Sequence, residues 1–360
     1  MRKIYLIRHC EPDFSKIRKD YETAGTICLG TGDPPLSFVG RMRAVLVGEW
    51  IRALQVTAVF CSTKKRSRET ALAIASNAQT VKDLHEIGMG IWEGMSMDEI
   101  RVRYPDIYEA RGKIPYSVYP EGGEAPADAL ARFSQALVRI ISESRGDVAV
   151  VAHGGVNRLL LTKMLGRDME ENLSVKQDYG CVNTISGDGG TLTVEALNET
   201  VRPSLSDDLC ERLLKAAGTP DDVRAHCRAV AARCDEIADA MSDKNVTAID
   251  KGLLHAAAML HDLLRTEEDH AQRAAALLDT LGYPEIAKII ASHHDLPENA
   301  MQEANMQAAL YLADKQTKGT QRVSIGARFA ESLAKCETEE ARENHAIRYA
   351  QAKQVERLFR

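Results

Sequence analysis

The chain has 360 residues, and at about 150 residues per domain that length points to two or three domains. Hydrophobic residues make up 44% and charged residues 27%, which excludes a disordered chain, a collagen-like repeat and a disulfide miniprotein. A net charge of −6 and 5% aromatic residues argue against a basic nucleic-acid-binding patch and against base stacking as the main task. No apolar run reaches about 18 residues, so no membrane span is expected. The start, Met1-Arg2-Lys3-Ile4-Tyr5-Leu6-Ile7, is too short an apolar stretch to read as a leader. The eight cysteines form no CxxC pair and read as reduced thiols, which points to a cytoplasmic location.

In chain order, residues 4–7, 58–61 and 148–152 are short apolar runs rich in β-branched residues and are expected to be strands. Between them, 40–54, 69–76 and 126–144 read as helices. The alternation predicts an α/β domain with a mostly parallel sheet. Gly187-Asp188-Gly189-Gly190 marks a turn into a late hairpin strand, 191–197. A polar, proline-containing linker is placed at 201–208. Thr219-Pro220-Asp221-Asp222 is a helix start, with acids at the positive helix end. The stretches 220–242, 247–264, 267–281, 284–294, 301–317, 323–335 and 337–359 all read as helices. The expected organisation is an α/β domain over 1–200 and an all-α domain over 209–360.

Arg8-His9 and His153-Gly154-Gly155 each follow an apolar strand directly. Ligands of open α/β sheets bind outside the carboxyl ends of strands, so both histidines are expected at one functional edge. A histidine nucleophile needs a phosphoryl group held in line by cations. Arg8 and Arg66 are the candidates for that task, and Glu86 is a plausible proton donor to a leaving alkoxide.

Leu6-Ile7-Arg8-His9 resembles the signature of the histidine phosphatase (phosphoglycerate-mutase-like) superfamily. Four further segments are similar in order: Thr31-Gly32-Asp33-Pro34-Pro35-Leu36-Ser37-Phe38-Val39-Gly40, Cys61-Ser62-Thr63-Lys64-Lys65-Arg66-Ser67-Arg68-Glu69-Thr70-Ala71, Leu84-His85-Glu86 through Glu93-Gly94, and Pro120-Glu121-Gly122-Gly123-Glu124. Val151-Ala152-His153-Gly154-Gly155 supplies the second histidine. The resemblance implies that His9 becomes phosphohistidine, that Arg8, Arg66 and His153 hold the phosphate, and that Glu86 protonates the leaving group. It implies no cofactor there, and it is nearer the phosphatase branch, such as α-ribazole phosphatase, than the mutases. Two departures stand out. Cys10 replaces the usual glycine after the nucleophile, where its side chain could crowd the backbone, and Thr63-Lys64-Lys65 lacks the usual proline.

Seven of the ten histidines follow residue 220. His261-Asp262 is expected late in the helix 247–264, where adjacent residues diverge by about 100° and can share one ion only near a helix crossing. His226 lies one helix earlier. Asp314 lies in the apolar run Ala308-Ala309-Leu310-Tyr311-Leu312-Ala313-Asp314, where a carboxylate needs a partner such as a divalent metal. This order is similar to the HD superfamily of metal-dependent phosphohydrolases, and His270 with His293-His294 resembles its two-metal subset. The resemblance implies that His226, His261, Asp262 and Asp314 bind a first ion. Asp262 would bridge to a second held by His270, His293 and His294. Mn, Fe, Co, Ni and Zn all suit such ligands. His255, His345 and the tail 337–360 read as structural or solvated, and Lys16, Arg18 and Lys19 as an exposed basic loop.

The function expected is a bifunctional phosphohydrolase: a phosphomonoesterase fused to a metal-dependent enzyme acting on a nucleotide-type phosphoester. Its partners would be phosphorylated small molecules, with no nucleic acid and no membrane. Two alternatives stay open: one half as a non-catalytic nucleotide-binding regulator, or the first half as a mutase.

Overall fold

The computed structural model describes residues 2–187, 192–243 and 249–360, and the chain divides into two compact units, Met1–Pro203 and Ser204–Arg360. In the first, β1 (Arg2–Arg8), β2 (Ala58–Cys61), β3 (Gln79–Thr80), β4 (Val148–Ala152), β5 (Val182–Gly187) and β6 (Leu192–Glu199) form one sheet in the order β3-β2-β4-β1-β5-β6. The pairs β1–β4, β2–β4 and β2–β3 are parallel, whereas β5 and β6 run antiparallel. Both faces are covered, so the central strands are apolar throughout and not alternating. Ile4, Leu6, Val148 and Val150 join one core with Ala129, Phe133, Leu137 and Leu159. Those partners come from α5 (Pro126–Glu143) and α6 (Gly154–Met164). Tyr5, Ile7, Ala149 and Val151 point the other way, onto Val47, Ile51, Ala71 and Ile74. These lie on α1 (Phe38–Ala53), capped by the Ser37 hydroxyl on the Gly40 amide, and on α2 (Lys65–Ile74).

Several elements were not anticipated: β3, α6, β5, and the two short helices α3 (Met97–Arg103) and α4 (Pro105–Lys113). The signals for the helix pair are local: a Ser96–Glu99 capping box, then Pro105 at the first turn. The 187–190 turn lies, after Gly187, outside the described residues.

The second unit is helical. It comprises α7 (Asp207–Ala217), α8 (Asp221–Ser242), α9 (Lys251–Leu260), α10 (His270–Leu281), α11 (Pro284–Ile290), α12 (Met306–Lys315), α13 (Ile325–Leu333) and α14 (Glu339–Leu358). Two corrections to the all-helix expectation are small. Thr317–Lys318 pairs with Gln321–Arg322 as a two-residue ribbon, β7–β8. The expected linker also runs into the unforeseen α7, which carries its own signals: a Ser206 cap, acids at Asp207 and Asp208, and Gly218 at φ 79° after the end. Residues 247 and 248, where the expected helix 247–264 began, lie outside the described residues.

Helix ends are the larger correction. His261 caps the C-terminus of α9 and Asp262 follows it, because Leu263 and Arg265 bond back three residues, to the carbonyls of Leu260 and Asp262. Likewise α11 stops at Ile290, with His293 and His294 in the turn beyond. The turns do what a continuous helix could not: they let sequence neighbours face one point.

Phe133 is fully buried between α5 and the sheet. Phe133→Ala is expected to cost about 3–5 kcal/mol. Both tryptophans, Trp50 and Trp92, belong to the first unit, so the urea midpoint of tryptophan fluorescence should fall accordingly.

Candidate active sites

In the first unit the parallel strands deliver their carboxyl ends together. Arg8 pairs in register with Ala152 and Cys61 with Val151, so His9, His153 and Ser62 emerge side by side. The His9 and His153 rings lie 5.1 Å apart. His9 Nδ1 donates to the Cys10 carbonyl at 2.7 Å, which leaves Nε2 with the lone pair, aimed outward. Arg66 donates Nε to that Nε2 at 3.1 Å. The guanidinium is fully buried, and its other nitrogens donate to the carbonyls of Gly32 at 2.6 Å and Gly30 at 3.1 Å. Arg8 lies over the Tyr179 ring at 3.7 Å and donates to the Gln177 carbonyl. His153 Nε2 sits 2.8 Å from the Ser62 hydroxyl, while its Nδ1 is buried without a partner.

Glu86 reaches the same place from the loop after β3. Its carboxylate accepts from the amides of Gly155 at 2.9 Å and Val156 at 3.1 Å, free N–H groups of the first turn of α6. A Cβ on Gly155 would lie 2.6 Å from Glu86 Oε1, so any larger residue there would push the carboxylate aside. Arg132 fixes the loop, pairing with Glu124 at 2.6 Å and donating to the carbonyls of Asp83 and His85 at 2.8 Å. The five expected residues therefore converge, and Arg8, His9 and Glu86 line a cavity of about 490 Å³. Cys10 does not crowd it: the side chain is buried in the core beside Ile7 and Val182, and burial pushes its thiol up to about 12.

Sequence reasoning missed several residues here. Glu93 accepts from the amides of Gly30, Thr31 and Met89 at 3.1, 2.7 and 3.0 Å, and so shapes the loop whose carbonyls hold Arg66. Tyr179, Arg111 and Arg158 line the cavity. Arg111 Nε is buried without a partner, and Arg158 donates Nε to the Val175 carbonyl at 3.1 Å. Arg18, expected in a basic loop, is tied to Asp20 and Glu99 instead.

In the second unit the turns gather a histidine–aspartate cluster. Asp262, His270, His293 and His294 form one group of converging ligand atoms, and His226, His261 and Asp262 another, sharing Asp262. Asp314 Oδ1 lies 3.1 Å from His226 Nε2 and 3.9 Å from His261 Nε2. His261 and His293 donate Nδ1 to the carbonyls three residues back, at 2.7 and 2.8 Å, which fixes Nε2 as the inward lone pair. His261 Nε2, His293 Nε2 and Asp262 Oδ1 are buried without a hydrogen bond, although Asp262 Oδ1 lies 3.2 Å from His270 Nε2. Burial pushes His261 down to about 4 and His294 to about 3, so both are neutral near pH 7. Burial works to raise Asp262, but His293 and His261 hold it below the usual carboxylate range. Neutral His261 and His294 beside a carboxylate, with orphaned inward atoms, fit a divalent metal.

Comparisons with known proteins place both units in families. A family model for the histidine phosphatase superfamily (branch 1) matches residues 4–200. The chain belongs to the histidine phosphatase superfamily. A second family model places an HD domain at 223–343 in the same chain, and together the two make it a phosphoric ester hydrolase. HD domains are generally metal-dependent, and the cluster described above could hold a metal. Phosphoserine phosphatase 1 of Hydrogenobacter thermophilus is 29% identical over 188 residues, which are 51% of this chain and 83% of that protein. The 6-phosphofructo-2-kinase/fructose-2,6-bisphosphatase of Gallus gallus is 33% identical over 172 residues, 47% of this chain. The match spans only 34% of that longer relative. A solved structure described as mycobacterial hydrolase 2 shares the fold at a TM-score of 0.50 and 20% identity, covering 60% of this chain and 97% of that one. Among the described residues, no helix is long and apolar enough to cross a membrane.

Two predictions follow from the first site. Glu93→Gln weakens the loop under Arg66 and should lower kcat for p-nitrophenyl phosphate by about 10- to 100-fold with little change in KM. Burial first, then Arg66, holds both His9 and His153 well below 6.5. The unfolded chain therefore takes up protons that the folded one refuses, and stability falls as pH drops below 6.5. The loss is up to about 1.4 kcal/mol per histidine per pH unit. Urea midpoints at pH 7.0 and 5.5 should diverge, and His153→Asn should reduce the divergence.

Proposed function

We propose that the chain is two phosphohydrolases in one. In the first unit, the reading rests on the outward Nε2 of His9 among Arg8, Arg66 and His153. His9 Nε2 attacks phosphorus, the N–P bond forms, and the P–O bond to the leaving group breaks. Arg8 and Arg66 neutralise the phosphoryl oxygens, neutral His153 offers one of them a hydrogen bond, and protonated Glu86 gives its proton to the departing alkoxide. Water then displaces His9, passing its proton to the Glu86 carboxylate and releasing phosphate.

The cavity also narrows the substrate class beyond the α-ribazole-phosphatase-like expectation. Its lining carries Arg8, Arg111 and Arg158 against one carboxylate, Glu86. With Arg8 committed to the phosphoryl group, Arg111 and Arg158 favour a small phosphomonoester bearing a second acidic group. The relatives' names fit: phosphoserine carries a carboxylate, and fructose 2,6-bisphosphate a second phosphate.

In the second unit, the reading is a metal-dependent hydrolase of a nucleotide-type phosphoester. His226, His261, Asp262 and Asp314 would hold one ion, and His270, His293 and His294 a second, with Asp262 common to both. Bound there, divalent metals supply activation of water and charge neutralisation at phosphate. The protein's own contribution is orientation: backbone carbonyls fix the imidazoles, and Lys315, 2.9 Å from Asp314, places a cation at the rim.

The test is phosphate release from sugar phosphates, phosphoamino acids, nucleotides and dinucleoside polyphosphates with added Mn²⁺. His9→Ala should abolish one set of activities and Asp262→Ala a different set. If one variant matches wild type on every substrate, that half is a binding module and the two-enzyme reading fails. Arg111→Ala should raise KM at least tenfold for phosphoserine and leave p-nitrophenyl phosphate within about twofold.

A further inference from the structure

The His/Asp cluster opens into a cavity of about 370 Å³ that contains His226, Asp262, His294 and Asp314. A second cavity, of about 500 Å³, lies among the end of α12, α13 and α14. Both are lined by Lys315 and Arg328, so the two compartments share a basic wall. The second adds Arg348 as a third cation, and no carboxylate lines it. Lys315 is paired with Asp314, but the two arginines are held loosely enough to serve a ligand. Arg328 donates Nη1 to the Thr317 carbonyl at 3.3 Å, and Arg348 Nε lies 3.5 Å from Asp295 with both side chains mostly exposed.

The remaining wall differs in kind. Phe329 meets the His345 ring edge-on at 5.3 Å. His345 Nε2 is fixed 2.8 Å from the Ser332 hydroxyl and 3.0 Å from the Phe329 carbonyl. Asn344 adds an amide with donor and acceptor. His345 and the tail helix, expected to be structural or solvated, thus form part of a built cavity.

A single phosphate at the His/Asp cluster would meet Lys315 and Arg328 but leave Arg348 and the aromatic wall unused. The volume suits a group much larger than phosphate. We propose that this second compartment is the substrate-specificity site of the HD unit and takes a nucleoside polyphosphate. One phosphate sits at the His/Asp cluster, the next lie against Lys315, Arg328 and Arg348, and the base packs on Phe329 and His345. The assignment rests on the metal-site reading given under Proposed function.

Calorimetric titration of the full chain separates the two. ATP and inorganic triphosphate are titrated in Mn²⁺ and in EDTA, and Mn²⁺ is titrated alone. ATP binding should weaken roughly tenfold in Arg348→Ala and in Arg328→Ala. His345→Ala should weaken ATP and leave triphosphate unchanged, since only the nucleoside reaches that wall. Unchanged circular dichroism and melting temperature in each variant show that the fold is kept. Mn²⁺ binding with ATP indifferent to all three variants would overturn the compartment and leave the metal site standing. ATP binding that responds to Arg348→Ala while Mn²⁺ does not bind would overturn the metal site and leave the compartment standing. Equal loss of ATP and triphosphate in the arginine variants, with His345→Ala silent on both, would overturn the nucleoside assignment.

Discussion

The hydrogen bond from Arg66 to His9 is the contact on which the catalytic edge of the sheet depends. A guanidinium with no solvent access must satisfy its donors inside the protein. Two go to the Gly30 and Gly32 carbonyls and one to the His9 ring nitrogen. The 30–32 loop can present those carbonyls only because Glu93 gathers its amides from the other side. One buried cation therefore ties α2, β1 and a long loop into a single arrangement. In the proposed reaction the bond to His9 is the one a phosphoryl group replaces, so the rest of the network is already in place when substrate arrives.

The second unit meets the same constraint with the opposite charge. Asp314 sits in an otherwise apolar, buried stretch of α12, and Asp262 is nearly as enclosed. Five histidines from four segments surround them, and His226, His261 and His293 have their outer nitrogens bound to backbone carbonyls. The inward nitrogens of His261 and His293 are left without a hydrogen bond. Burying such atoms is unfavourable unless a ligand completes them. The broken helix ends after Leu260 and Ile290 are what make the convergence possible.

Much of this was legible in the sequence, for identifiable reasons. His9 and His153 stand at the ends of apolar strands, and parallel pairing alone brings such ends together. Asp314 announced itself as a carboxylate in an apolar run. Other residues were not legible, because their roles arise from tertiary approach. Glu93 acts on a loop some sixty residues away in sequence, Arg132 reaches back from a helix face that looks solvated, and Arg111 and Arg158 lie on helices with no pattern that points inward. The position of His261-Asp262 was read correctly as a problem of geometry, yet the solution, an early helix end, depended on turn hydrogen bonds that periodicity does not record. The α13–α14 cavity was invisible for the same reason: its tail helix has a charged, helical pattern that reads as solvent-facing until its neighbour is in place.

In the proposed reading, the two units solve one chemical problem, charge on phosphate, by different means: fixed arginines and a nucleophilic histidine in one, a His/Asp site for metal in the other. The most direct test of this account is mass spectrometry of the full chain, acid-labile phosphate preserved, after rapid quenching during phosphomonoester turnover. The account predicts one phosphorylated peptide, carrying the phosphate on His9, formed equally with and without EDTA. Turnover with no phosphohistidine, or with the phosphate on another residue, would contradict it.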